Sequence, residues 1–451
     1  MKGGRALLRR RDFGLLWAGG LISETGDWFL LVGLPVWVFQ LTGSSLVTAT
    51  VFLVGLLPSL VVGPVAGVLV DRWDRRRTLV AVGLAQAAFL LPLLAVDGRD
   101  RLWVIYVVMA VEAALGQLND PARNALVPSL VPGGDLVGAN ALIALTSNLA
   151  RLTGSPLGGV LVDLAGLPGL VVGDAVSFLV GAGLLTLVGR RTSPASPEAR
   201  ANPASRRAAP RRGSVADRGD ERAPLSTAPH PAPNLVREWL DGLRVTVRDH
   251  GLRWGLVVDG MAAVAQGIFT VLFVLFVTRE LGGDGAEVGL LRGVQAIGGL
   301  AGAVLVVGLA RRLEPGRLLG ASLLVFAVID LAIWNGPLVT TAGWLYLGLF
   351  VAAGIPGVGV MTGLTSLVQQ RAGEAYLGRV FATYHGSFNG LMAVGMLAAG
   401  LLGDAVGVVP VLNGQALLYL AAGVVALVTI GRQARPVGYP RTSKRVRMPS
   451  A

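Results

Sequence analysis

The stretch VLVDRWDRRRTLV, residues 68–80, places Asp71, Arg72, Asp74, Arg75, Arg76 and Arg77 between two long apolar runs. Each ionised group in a hydrocarbon core costs about 3 kcal/mol or more, so charge this dense marks a loop outside a membrane. The runs on either side then read as crossings. Composition agrees: 53% of the residues are hydrophobic, mean hydropathy is +0.64, and only 15% are charged, against about 25% in soluble domains.

A helix needs about 20 mainly apolar residues to cross the core. Runs of that length fall near residues 14–40, 45–70, 78–96, 102–119, 138–162, 168–189, 253–278, 287–311, 318–334, 341–369, 380–403 and 409–431. The expected fold is an all-α membrane protein with twelve transmembrane helices in two six-helix bundles, residues 1–189 and 253–432. Between them, residues 190–234 are rich in Pro, Ala, Ser and Arg without apolar periodicity, which predicts a disordered linker. Residues 235–252 follow as an amphipathic interfacial helix, with Leu235, Val236, Trp239, Leu240, Leu243 and Val247 opposite Arg237, Glu238, Asp241, Arg244 and Arg248. Residues 433–451 form a basic tail.

Lys and Arg collect on the cytoplasmic side of membrane proteins. Arg9 to Arg11, the 72–77 cluster, Arg123, the linker, Arg312, Arg317, Arg371, Arg379 and the tail all fall on one side of a twelve-span arrangement. Arg99, Arg101 and Arg279 are the main basic residues on the other. Both termini are therefore expected in the cytoplasm of a prokaryotic cell, with the chain in its inner membrane. The same pattern accounts for the net charge of +12 without nucleic acid. A signal peptide or twin-arginine reading of the first residues fails, because the apolar run continues to about Leu41 and contains Glu24 and Asp27.

The chain has no cysteine and three histidines, and HExxH, GxxxxGK[ST] and GxSxG are absent. An enzyme, a metal site and a cofactor are not expected. Two six-span halves joined by a long charged linker suit a transporter built from parallel repeats. Gly63/Gly67, Gly154/Gly158, Gly298/Gly302 and Gly386/Gly390 are small-xxx-small pairs at equivalent places in the halves, expected to mark the interface between them.

Ionisable residues within crossings are functional candidates. Glu24 and Asp27 lie three residues apart on one helix face, as a pair that holds and releases a proton would. Glu112 and Arg151 sit at similar depth and are expected to pair. Asp259, Asp330 and Asp174 are further candidates, Asp174 near the outer surface, while Arg292 is expected to snorkel outward. Trp28, Phe29, Trp37, Gln40, Gln266, Phe269, Phe273, Gln295, Phe388 and Asn389 are candidates for a cavity suited to an amphipathic compound.

The segments at residues 11–29 (RDFGLLWAGGLISETGDWF), 67–77 (GVLVDRWDRRR), 119–132 (NDPARNALVPSLVP), 139–159 (ANALIALTSNLARLTGSPLGG) and 376–384 (YLGRVFATY) together resemble the major facilitator superfamily. The likeness is to its drug and siderophore exporter branch, which holds macrolide-efflux and enterobactin-export proteins, and it covers nearly the whole chain. It implies alternating access: two bundles rock about a central cavity. It also implies a latch in the loop after span two, where Gly67 permits close packing, Asp71 faces the start of span eleven near Arg379, and Arg72, Arg75 and Arg76 meet acidic partners or lipid headgroups. In span five the family's GPxxGG turn is matched by Gly154, Pro156, Gly158 and Gly159 with the proline one position late. The arginine that many proton-coupled members carry in span four is absent, so coupling does not carry over on that residue. The expected function is proton-driven export of a hydrophobic or amphipathic small molecule by a monomer, through an efflux antiporter of the multidrug type. A siderophore exporter or proton-linked importer stands as the alternative, and a lipid scramblase or substrate sensor as a different class.

Overall fold

The computed structural model describes residues 6–63, 66, 69–70, 73–189, 235–310, 312–373 and 376–431. All regular structure among them is helical: α1 (Arg11–Thr42), α2 (Ser45–Val61), α3 (Arg75–Leu90), α4 (Leu102–Gly116), α5 (Asn119–Leu130), α6 (Leu136–Thr186), α7 (Leu235–Arg248), α8 (His250–Leu275), α9 (Gly285–Ala310), α10 (Pro315–Asn335), α11 (Gly343–Arg371), α12 (Leu377–Ala405) and α13 (Val408–Val425). Nine of these helices, with their short terminal turns, and α4 and α5 taken together as Arg99–Leu130, are long and apolar enough to cross a membrane, ten spans among the described residues. α6 holds two crossings, because Gly166 at φ 60° breaks it and Pro168 follows; only glycine adopts that backbone without strain. The second arm and the shorter α2 bring the crossings to twelve, six before α7 and six after.

Local chemistry sets several boundaries. The Asp74 carboxylate accepts the Arg77 amide at 2.8 Å and caps α3, so this acidic residue of the charged loop has a structural task. Asp249 caps α8 in the same way through Leu252 at 2.8 Å. That cap ends α7 at Arg248, and α7 packs on α12 and α8 with Thr246 buried. Residues 119–130, expected as a loop, form α5.

The hydrophobic core is divided unequally between the two ends. On the side where α1 begins, here called the near side, each half has its own cluster, one around Phe13, Leu79 and Leu126 and another around Leu252, Val368 and Tyr384. Toward the far side a single cluster unites both halves, with Leu34, Leu90 and Leu170 packed in one core with Phe273, Phe276, Trp334 and Phe350. The halves are therefore fused at one end and separate at the other.

Polar bonds seal the fused end. Asp163, on the first arm of α6, accepts the Gly285 and Ala286 amides at 3.0 and 2.7 Å, at the start of α9 in the other half. Asp404, at the end of α12, accepts the Ser45 and Leu46 amides at 2.9 and 3.3 Å and the Ser44 hydroxyl at 2.9 Å, at the start of α2. Each carboxylate meets the positive end of a helix dipole, worth about 0.3 to 1 kcal/mol and more where partly buried. Arg279 completes the seal by donating to the Gly43 carbonyl at 2.7 Å while its guanidinium lies 4.7 Å from the Phe39 ring. The two aspartates share one local sequence, Gly-xxx-Asp-xx-Gly, at residues 159–166 and 400–407, and each ends in a glycine of positive φ, 60° and 101°.

Two of the glycine pairs expected at the interface between halves, 154/158 and 298/302, do other work. Gly154 and Gly158 lie on Thr25, Trp28 and Phe29 of α1, and Gly298 and Gly302 lie on Val351 and Ile355 of α11, each within one half. Gly390 has nothing within 4 Å. The seam between halves is made instead by Gly159, Gly285, Gly289 and Gly293 on one flank, with Pro156 between them, and by Gly400 and Gly403 on the other. Gly67, Asp71 and Arg72, with the linker at 190–234 and the tail at 433–451, lie outside the described residues.

A methyl group at Gly159 would collide with the Gly285 carbonyl, whereas one at Gly390 would meet nothing. Gly159→Ala should cost about 1 to 3 kcal/mol through overpacking, and Gly390→Ala should be neutral or slightly stabilising. Chemical unfolding of the purified protein in detergent distinguishes them; equal effects would contradict this seam.

Candidate functional site

Separation of the halves on the near side leaves a cavity of about 650 Å³ between them. Its wall runs from Pro35 and Val51 under the sealed end to Leu16, Leu79 and Leu185 near the open end. Most of it comes from the first half, which also supplies five acidic residues, Glu24, Asp27, Glu112, Asp120 and Asp174. The second half adds Gln266, Thr270, Arg292, Met392 and Met396.

The carboxylates are held in different ways. Glu24 forms an ion pair with Arg123, which α5 brings over the cavity mouth, and accepts a hydrogen bond from the Ser147 hydroxyl at 2.8 Å. Arg123 also pairs with Asp120 at 2.7 Å. Glu112 accepts from Gln86 at 3.0 Å, and Gln86 in turn accepts from Asn119 at 3.3 Å; the other Glu112 carboxylate oxygen is buried with no partner. Asp174 is buried and accepts from Ser177 at 3.2 Å. Gly26 allows this, since a methyl group there would strike both Asp174 and Ser177. Asp27, one residue on, is open to the cavity and makes no hydrogen bond or ion pair among the described residues.

A polar network supports the opposite wall. Asp330 accepts from Gln415 at 2.8 Å, Gln415 accepts from the Trp334 indole at 3.0 Å, and the Tyr419 hydroxyl donates to Gln266 at 3.3 Å. Arg292 projects over the faces of Phe269 and Phe273, at 4.9 and 5.8 Å from their centroids. It does not snorkel to a surface but lines the cavity.

Of the coupling candidates, Glu24, Asp27 and Glu112 meet at this cavity, and Asp174, expected near the surface, joins them. Arg151 and Asp259 are not in its wall. No ion pair joins Glu112 to Arg151: the two share a depth but face different neighbours, Gln86 for one and the Gly299 region of α9 for the other. Asp259 is buried on α8. Of the residues read as cavity lining, Gln266 is in place; Phe269 and Phe273 lie behind Arg292, and Gln295 accepts from it at 3.5 Å. Trp28, Phe29 and Trp37 pack against the shared core, Gln40 is exposed, and Phe388 and Asn389 are half-buried outside the cavity. In the charged loop, Arg76 donates to the Leu185 and Thr186 carbonyls, capping the end of α6 rather than meeting an acidic group. Arg379 lies 5.8 Å from the Tyr376 ring, and Arg75 makes no ion pair among the described residues. Arg123 was legible only as a loop charge, although it falls in a segment quoted for the family likeness.

Comparison with known proteins adds the following. The model of the Major Facilitator Superfamily matches residues 16–258 and 255–449. Macrolide efflux protein A of Streptococcus pyogenes is 24% identical over 401 residues, covering 88% of this chain and 90% of that protein. The multidrug efflux pump Tap of Mycolicibacterium fortuitum is 32% identical over 161 residues, 34% of this chain and 39% of the pump. Among solved structures, a bacterial homologue of the iron transporter ferroportin in its inward-facing state superposes with a TM-score of 0.66 at 19% identity, over 93% of this chain and 98% of that one. In its outward-facing state the TM-score is 0.55, over 93% and 100%.

The Glu24–Arg123 pair generates a prediction. Glu24→Gln and Arg123→Gln should each cost roughly 1 to 3 kcal/mol of stability by leaving a partner uncompensated, and the double variant should cost less than their sum. Asp27→Asn, which breaks no bond, should change stability by less than about 0.5 kcal/mol. Strict additivity of the two singles in detergent unfolding would show that the pair contributes nothing.

Proposed function

Because the chain belongs to the major facilitator superfamily, whose members are membrane transporters, we propose that it is a proton-coupled exporter of hydrophobic or amphipathic small molecules, of the macrolide or multidrug kind. The observation that carries this reading is the cavity between the halves, sealed on the far side, with the Asp27 carboxylate, which makes no ion pair among the described residues, in its wall. We take the near side as cytoplasmic in a prokaryotic inner membrane, since Arg9, Arg10, Arg11, Arg75, Arg77, Arg244, Arg312, Arg317 and Arg371 lie there and Arg99, Arg101 and Arg279 lie opposite. On that orientation the cavity loads from the cytoplasm. The higher TM-score against the inward-facing than the outward-facing form of one relative supports it.

The chemistry follows from competition for one carboxylate. A substrate enters the cavity from the cytoplasm and meets Asp27, with Glu112 and Asp174 on the same wall. When the seam opens on the far side, water reaches the same groups and a proton displaces the substrate. Return of the protonated cavity to the cytoplasmic side releases the proton down its gradient. Glu24 is held by Arg123 and Ser147 and so stabilises the mouth, which leaves Asp27 as the principal exchanging group. The chain acts as a monomer with no cofactor, and the proton gradient is the energy source. The names of its efflux relatives support the direction of transport.

Proteoliposomes with an imposed pH gradient and a panel of macrolides, cationic dyes and catechol siderophores test this. The wild type should move at least one class against its gradient, and Asp27→Asn should lose that movement about tenfold or more while keeping its fold. Absence of gradient-dependent movement across the panel would contradict export.

A further inference from the structure

Arg292 has no task in the scheme above. It lines the cavity from α9, yet forms no ion pair among the described residues, and its hydrogen bond to Gln295 is long at 3.5 Å. The neighbouring charge has its own sign: Arg151, on α6 across the seam, is near enough to repel it, and the Arg151 Nε is buried without a partner. Two arginines held this way, one from each half, form no ion pair among the described residues. An uncompensated buried charge is costly and is kept where it has a use. The aromatic faces of Phe269 and Phe273 fix the Arg292 guanidinium without neutralising it. On the opposite wall Asp27 makes no ion pair among the described residues.

We propose that Arg292 receives an anionic group of the transported molecule, so that the preferred substrate is an amphipathic zwitterion with its amine toward Asp27 and its carboxylate on Arg292. The inference rests on the export reading and specifies its substrate class. A hydrophobic cation would satisfy Asp27 alone and leave Arg292 facing Arg151. A carboxylate suits the planar guanidinium, which offers two parallel donors. The apolar body of the molecule then lies along Phe269 and Phe273, and 650 Å³ accommodates a compound of drug size.

The test uses norfloxacin, which carries an amine and a carboxylate, and its methyl ester, which lacks only the anion. Binding to the purified full-length protein in detergent is read from the compounds' own fluorescence. The wild type should bind norfloxacin about tenfold or more tightly than the ester. Arg292→Gln should abolish that preference by weakening norfloxacin alone, and Arg292→Lys should keep part of it. Equal affinity of the wild type for the two compounds, or equal weakening of both by Arg292→Gln, overturns the proposal. Should Arg292→Gln fail to fold, the wild-type preference decides by itself. Binding of neither compound also overturns it, and gradient-driven movement of the macrolide panel then shows whether the export reading survives.

Discussion

Two carboxylates, each borne by one half and each capping a helix of the other, hold the far side closed, and the shape of the cavity follows from that closure. Asp163 engages the start of α9 and Asp404 the start of α2. These bonds are reciprocal: the fifth and eleventh crossings supply the acids, and the eighth and second supply the helix ends. Backbone amides at a helix start have no partner within the helix, so the acids satisfy donors that must otherwise find water. The seal is thus both an attraction between halves and a condition for burying those helix ends. Where it stops, toward the near side, the halves keep separate cores and a cavity opens between them.

The seal is also built to be undone. Three of its five carboxylate bonds involve exposed or half-exposed groups, Ser44, Leu46 and Ala286, where water can replace a lost partner at small cost, while Ser45 and Gly285 are buried. The glycines beneath the acids, Gly159 and Gly400, let helices approach closely without interlocking side chains. Opening the far side must also part the apolar cluster that joins the halves there, whereas the clusters on the near side stay within each half. A transporter needs this division: rigid bundles, and a seam between them of modest strength. The cavity carboxylates lie on the wall of the first half beneath the seam, so exchange at Asp27 and opening of the seam involve one shared space.

Much of this was legible in the sequence, and the reasons for the rest are specific. Hydropathy gave the crossings, their grouping into halves and the side on which arginines collect, because burial in lipid imposes length and composition directly. It also brought Glu24, Asp27 and Glu112 to notice as charges within apolar runs. What hydropathy does not give is the direction in which a side chain leaves its helix. Glu112 and Arg151 share a depth and so looked like a pair, yet they face different neighbours. Arg292 lay close enough to a helix end to suggest snorkelling, but its azimuth turns it onto Phe269 and into the cavity. Arg123 read as a loop charge because the helical continuation α5 was not foreseen. The Gly-xxx-Asp-xx-Gly repeat, in contrast, was present in plain sequence, and a comparison of the fifth and eleventh crossings would have found it.

The central claim is that Asp163 and Asp404 hold the far side shut. The absence of cysteine makes a distance measurement clean, with spin labels on cysteines placed at Asp97 and Val339, exposed positions at the far ends of the two halves. Pulsed electron paramagnetic resonance of the ligand-free protein should give one short, narrow distance distribution. Adding Asp163→Asn and Asp404→Asn together should move a substantial population to longer distances, because an amide meets the helix ends without the charge. A distribution unchanged by the double substitution would contradict the account.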